Sequence, residues 1–343
     1  MVDAGVLLAL AFLLCSAVVV VIFGAVRCRK QLMEAKAEVS LGVGDAALMP
    51  ISGSVFLFTM YVLLRFIPKE HFNVMICFYL SAVSIFALSG FLKAYVKPNI
   101  LTGCLCVAIG FGYFFTKHWI VNNILAFALG VTALESLPVS NFSTSYLLLA
   151  ALFFYDIFWV FGSDVMLTVA TRVDGPIKFV FPQDITDTSK RMSLLGLGDM
   201  VVPGLFVCQV LVFSRDVVKR GNFYFYAVVV AYFLSLVNTM GVMVYFKHGQ
   251  PALLFIVPWL LITFSAALLW NGDVSAALNF DSTKVFEHKE TDKESDSTEA
   301  SLSEVLKSAV RELFGFEEKK EKATEVSAEK KRSSPFLISH LFF

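Results

Sequence analysis

Long apolar stretches recur along the chain up to about residue 270 and then stop. A spanning helix needs roughly 17–25 mostly apolar residues. Stretches of that kind run at about Val6–Val26, Pro50–Phe66, Phe72–Leu92, Ile100–Phe115, Trp119–Val139, Ser145–Gly162, Leu194–Phe213, Phe223–Phe246 and Pro251–Leu269. The pattern predicts an all-α polytopic membrane protein with nine transmembrane helices. Two connections are long, Arg27–Met49 and Ser163–Ser193. Within the second, Ile177–Phe181 is β-rich and alternating, which predicts a short strand. After Asn271 the residues are mainly Glu, Lys, Ser and Thr. Such a composition cannot bury enough apolar surface to offset chain entropy, so this tail is expected to be mostly disordered. One stretch of it, 300–316, carries Leu302, Val305, Leu306, Val310, Leu313 and Phe314 at helical spacing. The chain thus divides into a five-helix membrane part (1–144), a second membrane part (145–270) and a tail (271–343).

Composition and charge sharpen that picture. Apolar residues make up 57% of the chain and charged ones 16%, against about 25% charged in an ordinary soluble domain. Net charge is zero, and no basic stripe argues for a nucleic acid partner. The first apolar run is followed at once by Arg27, Arg29, Lys30 and Lys36. A cleaved leader would carry its charge before a shorter core, so this run is expected to be a retained span with its N-terminus outside the cytosol. In the alternation that follows, the inferred cytosolic loops hold nine Lys/Arg and the opposite ones seven. The tail then falls in the cytosol, and so does the sequon Asn141-Phe142-Ser143, which should stay unglycosylated. The six cysteines lie in or beside apolar segments at no metal-site spacing, so neither metal nor disulfide is expected.

Two carboxylates stand where lipid-embedded sequence should tolerate none: Asp156 in Tyr155-Asp156-Ile-Phe-Trp159, and Asp199 in Leu195-Gly196-Leu197-Gly198-Asp199. A charge near the bilayer centre costs at least ~2.5–3.5 kcal/mol, which makes such residues functional candidates. Two carboxyls sharing one proton can activate water with one group and donate to a carbonyl with the other. Asp156 and Asp199 lie on consecutive antiparallel spans. At 1.5 Å per residue both sit about 10 Å below the shared boundary, provided the first helix breaks at Gly162-Ser163-Asp164. Gly196 and Gly198 leave room for close backbone approach beside Asp199. Of the other polar residues, Glu135 reads as an interfacial carboxylate, Asn122 and Asn123 as donors between helices, and His248 as a solvated loop residue.

Tyr155-Asp156, Leu195–Asp199 and Gln250-Pro251-Ala252-Leu253 match in order the three signatures of the GxGD-type intramembrane aspartyl proteases, the presenilin-related group. Phe158–Gly162, Pro176–Asp184 and Phe246-Lys247-His248 resemble its signal peptide peptidase branch. The resemblance implies a nine-helix bundle with Asp156 and Asp199 as catalytic residues. Tyr155, Gly196, Leu197, Gly198, Gln250, Pro251, Ala252 and Leu253 would line the active site. It implies an endoplasmic-reticulum enzyme that cuts signal peptide remnants and type II or tail-anchored spans within the bilayer, with no metal or cofactor. The N-terminus would be lumenal and the tail cytosolic. Partners would be transmembrane peptides and the lipid bilayer, with self-association left open. Cleavage requires an unwound substrate, and the Ile177–Phe181 strand is expected to hold it by strand addition. Membrane-buried acids also occur in proton-coupled transporters and cation channels, and a non-catalytic scaffold would tolerate their loss. The first alternative predicts an internal repeat, which the chain lacks, and neither accounts for glycines beside Asp199.

Overall fold

The computed structural model describes residues 4–34, 41–66, 68–96, 99–162, 175–184, 192–246 and 250–282. Among the described residues nine apolar helices follow one another: α1 (Ala4–Met33), α2 (Val43–Phe66), α3 (Lys69–Lys93), α4 (Ile100–Thr116), α5 (Trp119–Ser136), α6 (Phe142–Phe161), α7 (Gly198–Val212), α8 (Phe223–Phe246) and α9 (Leu253–Asn271). A π-helical turn, Phe213–Val217, extends α7, and a short α10 (Val274–Leu278) follows α9. Between α6 and α7 stands an antiparallel hairpin of β1 (Lys178–Pro182) and β2 (Met192–Gly196). Eight helices have the length and hydropathy to cross a bilayer, α7 counted with its π turn, and α4 is a shorter apolar helix of 17 residues. The tail, with its 300–316 segment, lies outside the described residues, as does His248.

α7 is apolar on every side, and a helix of that kind belongs in an interior. It contacts α1, α5, α6, α8 and α9, and every residue from Pro203 to Val212 is buried. Small residues let the helices approach. Leu134 of α5 fits between Gly24 of α1 and Gly204 of α7. A Cβ at those glycines would lie 2.3 Å and 2.7 Å from its methyls. At one end of the bundle Phe142, Phe206, Phe213, Phe264 and Phe280 form a mutual aromatic cluster.

Three consecutive residues near the end of α1 fasten it to its neighbours. Arg27 pairs with Glu135 of α5 at 2.7 Å, donates to the Phe91 carbonyl and lies 5.1 Å from the Phe91 ring centroid. Arg29 holds Asp216 of the π turn through two bonds of 2.8 and 3.1 Å. Between them, Cys28 is joined to Cys208 of α7 by a disulfide with a Cα–Cα separation of 6.5 Å. Two expectations change here. A disulfide is present, and Arg27 and Arg29 lie inside a helix that runs past the expected end at Val26. Glu135 is held in an ion pair with Arg27.

The seventh helix also differs from its expected course. It starts at Gly198, because Met192–Gly196 leaves the helical path to pair with β1. The stretch before Asp199 therefore rises at about 3.3 Å per residue rather than 1.5 Å, which removes the depth count made with helical rise. The last span starts at Leu253, so Pro251 and Ala252 precede it rather than open it.

Candidate active site

Three helix ends converge on the two acids. α6 stops at Phe161, where the Gly162 N–H closes the last turn on the Phe158 carbonyl at 2.8 Å. That is the break the sequence required, and it leaves Asp156 five residues inside the helix. Asp199 sits in the first turn of α7. α9 begins at Leu253, whose backbone N–H donates to Asp156 Oδ2 at 3.0 Å. Asp156 is 5% exposed, and the two carboxyls are close enough to interact electrostatically. The N-termini of α7 and α9 both end beside this pair. A helix N-terminus carries partial positive charge and unused N–H groups, which favour an anionic oxygen.

Proline explains a further contact. Pro203 lies four residues after Asp199 and has no N–H, so it cannot make the helical bond to the Asp199 carbonyl. The hydroxyl of Tyr232 on α8 donates to that carbonyl at 3.1 Å instead. Tyr232 is fully buried. A carbonyl left without a partner in an apolar interior is costly, so the tyrosine replaces the missing backbone bond. Sequence reasoning passed over Tyr232. The available signal was Pro203 spaced one helical turn from the acid, which marks Asp199 as needing a donor from elsewhere without saying which.

A Cβ on Gly196 would lie 3.7 Å from Asp199 Oδ2, and one on Gly198 would meet nothing within 4 Å. The backbone beside Asp199 is therefore uncovered. Leu197 is buried against Gly130 of α5, and its N–H donates to the Ile177 carbonyl at 3.0 Å, tying the start of α7 to the hairpin. Of the Gln250–Leu253 group, Leu253 touches Asp156, Pro251 is buried beside it in sequence, and Ala252 caps α9. Gln250 is half-buried. Tyr155, next to Asp156 on α6, also reaches α2. Its hydroxyl lies 3.5 Å from where a Cβ on Gly53 would stand, so it packs on α2, as does Trp159 through a 3.2 Å bond to Ser54 Oγ.

The hairpin completes the surroundings. Its register pairs Lys178 with Gly196 and Pro182 with Met192. Because the Leu197 N–H bonds the Ile177 carbonyl, antiparallel alternation places Ile177, Phe179 and Phe181 with their backbone groups toward β2. Lys178 and Val180 face the opposite edge, toward α5. On β2, by the same rule, Met192, Leu194 and Gly196 turn their backbone groups outward. Asn122 and Asn123 bond β1 rather than another helix: Asn122 Nδ2 reaches the Lys178 carbonyl at 2.7 Å, and Asn123 bonds Val180. Strand addition to β1 is therefore blocked at Val180, and the open edge is that of β2.

The residues from 88 to 284 match the family model described as signal peptide peptidase. Signal peptide peptidase of Mus musculus is 32% identical, across 88% of this chain and 91% of its own length. The chain belongs to the signal peptide peptidase family. A probable intramembrane protease of Schizosaccharomyces pombe is 38% identical over 72% of this chain and 86% of its own. A presenilin family intramembrane aspartate protease of known structure aligns with 74% of this chain and 99% of its own, at 20% identity and a TM-score of 0.48. Family membership makes the chain an intramembrane aspartic endopeptidase, a multi-pass membrane protein whose substrates are membrane-embedded peptides.

Proposed function

We propose that Asp156 and Asp199 are the catalytic pair, and that the convergence of α6, α7 and α9 on them is the active site. The observation that carries this reading is the Leu253 N–H on Asp156, with Asp199 held across from it at the start of α7. It brings the three separate sequence signatures to one place. In the reaction one carboxylate takes a proton from water as the water oxygen attacks the scissile carbonyl carbon, and the other, protonated carboxyl donates to the carbonyl oxygen. The resulting diol then collapses: the C–N bond breaks, the departing nitrogen takes the proton that the first carboxyl accepted from water, and the second carboxylate recovers a proton from a diol hydroxyl. Tyr155 lines the site beside Asp156 and fixes α6 against α2.

A peptide bond in a helix is covered by its own side chains and its carbonyl is bonded, so substrate must be extended near the acids. The outer edge of β2 offers such a chain the backbone groups of Met192, Leu194 and Gly196, and ends beside Asp199. Strand addition there is the reading that the register supports. The substrates in this reading are signal peptide remnants and type II or tail-anchored spans, in the endoplasmic-reticulum membrane. The N-terminus is lumenal and the C-terminal tail cytosolic, with its first residues, 271–282, packed on the membrane part 145–270 through α10 and Phe280. The basic residues that close α1 favour that orientation, since charge acts on topology during insertion even where Arg27 and Arg29 later pair.

A direct test uses a photoreactive peptide isostere whose hydroxyl mimics the tetrahedral intermediate. It should label the protein in vesicles and fail to label Asp156→Ala or Asp199→Ala. Undiminished labelling of either variant contradicts the assignment of the pair.

A further inference from the structure

We propose that Asn122 and Asn123 are positioning residues that act as a third strand against β1. The proposal rests on the reading of the hairpin as the substrate's docking element, and it concerns what holds that element in register.

A strand in the middle of a sheet has both edges satisfied, whereas an edge strand has one row of N–H and C=O groups unpaired. Among the described residues β1 has one strand partner, β2. On its other edge the Asn123 amide does what a residue of a neighbouring strand does. Its Nδ2 donates to the Val180 carbonyl at 2.8 Å, and its Oδ1 accepts from the Val180 N–H at 2.9 Å. Asn122 extends the mimicry by one repeat. Its Nδ2 donates to the carbonyl of Lys178 at 2.7 Å and to Asn123 Oδ1 at 3.3 Å. Lys178 and Val180 are two residues apart, which is the spacing at which backbone groups return to the same edge. Both asparagines are buried, at 4% and 8% exposure.

A side-chain amide is well suited to do this from a helix. Val180 presents a donor and an acceptor on one edge, and an amide carries both groups in a plane with matching spacing, whereas a carboxylate only accepts. Two consecutive asparagines on a helix point about 100° apart, so their reach covers both Lys178 and Val180. Aromatic contacts fix the same strand on one face: the Phe181 ring lies 4.5 Å from that of Phe12 on α1 and 5.2 Å from that of Trp119 on α5.

Two consequences follow for the reaction. β1 cannot accept a second strand, so the hairpin offers an extended peptide a single edge, that of β2. The hairpin is also anchored to α5, which packs on α1 and α7, so the distance from β2 to Asp199 is set by the bundle rather than by the hairpin loop. Loss of the clamp should leave the acids in place and let the docked peptide slip relative to them, since register in a two-stranded hairpin is otherwise weakly held.

The test compares the full-length protein with Asn123→Leu and Asn123→Asp in vesicles, using a model signal peptide and mass analysis of the products. The Leu change removes both bonds to Val180, and the Asp change keeps the acceptor and loses the donor when its carboxyl is ionised, so the Asp variant is compared at acidic and alkaline pH. Both should lower kcat/KM, the first by roughly tenfold or more, chiefly through KM, and spread cleavage over neighbouring bonds. Labelling by the hydroxyl isostere should stay within about twofold of wild type, because that probe reports the acids. Val180→Pro removes the same Val180 N–H from the strand side, so adding it to Asn123→Leu should cost less than the product of the single effects. Should Asn123→Leu fail to fold, Asn122→Ala and Val180→Pro carry the test with the same readouts. Unchanged KM and a single unchanged cleavage site in the folded variants, or full additivity with Val180→Pro, would overturn the clamp. That result is separable from failure of the catalytic assignment, in which Asp156→Ala or Asp199→Ala would still cleave.

Discussion

At the residue scale, two small features settle how an acid can be presented inside an apolar bundle. Asp156 is held by a backbone N–H that costs the fold nothing extra, because the first N–H groups of α9 have no intrahelical partner. Asp199 depends on its own helix being interrupted. Pro203 withholds a bond from the Asp199 carbonyl, and Tyr232 supplies it. Tyr232→Phe keeps the ring and removes that donor, leaving a buried carbonyl unpaired at a cost of about 1–3 kcal/mol. If the strain falls on Asp199, kcat should drop by roughly tenfold with KM little changed. Steady-state kinetics in vesicles would show it, and a wild-type kcat would mean that water or a shifted backbone serves the carbonyl equally well. The acids and their glycines were legible in the sequence because a carboxylate in a lipid-facing run is chemically out of place. Tyr232 was not, since a tyrosine in an apolar helix is ordinary and only the fold puts it opposite Asp199.

At the element scale, the hairpin is where pattern reading divided. The alternation of Ile177–Phe181 gave β1 to within one residue, yet Leu194–Gly196 of β2 was absorbed into the following span. A short apolar run beside a helix carries no periodicity of its own, and only pairing with β1 makes it a strand. The consequence for function is that the docking edge moves from β1 to β2. Leu194→Pro examines this. The Leu194 N–H faces outward, so proline removes a donor from the open edge without touching the ladder to β1, the position where strands tolerate it. We expect kcat/KM to fall by about tenfold or more, while isostere labelling persists. Unimpaired turnover would exclude strand addition at β2.

On the scale of the whole molecule, the bundle is built around α7, and the ties that converge on it explain what the sequence left unread. The nine apolar runs, the two acids and the order of the three signatures are local facts, visible as hydropathy and spacing. Arg27 with Glu135 and Cys28 with Cys208 join residues 108 and 180 positions apart, and no local pattern announces such partners. Both fasten α1 to the α5–α7 core at the end of the helix remote from the hairpin. At α1's other end, a Cβ on Gly5 would lie within 1.9 Å of the Gln183 carbonyl just beyond β1. α1 thus runs the length of the site's support, fixed at one end by charge and sulfur and at the other by close approach to the hairpin.

The proposed activity requires the two acids to act together on a peptide within the bilayer. The most direct measurement is product analysis for a model signal peptide co-reconstituted with purified protein, comparing wild type with Asp156→Ala and Asp199→Ala. Wild type is expected to cut inside the apolar segment of the peptide, and each variant to lose at least about a thousandfold of that activity. Cleavage that survives the loss of either acid, or cuts confined to the peptide's polar flanks, would contradict it.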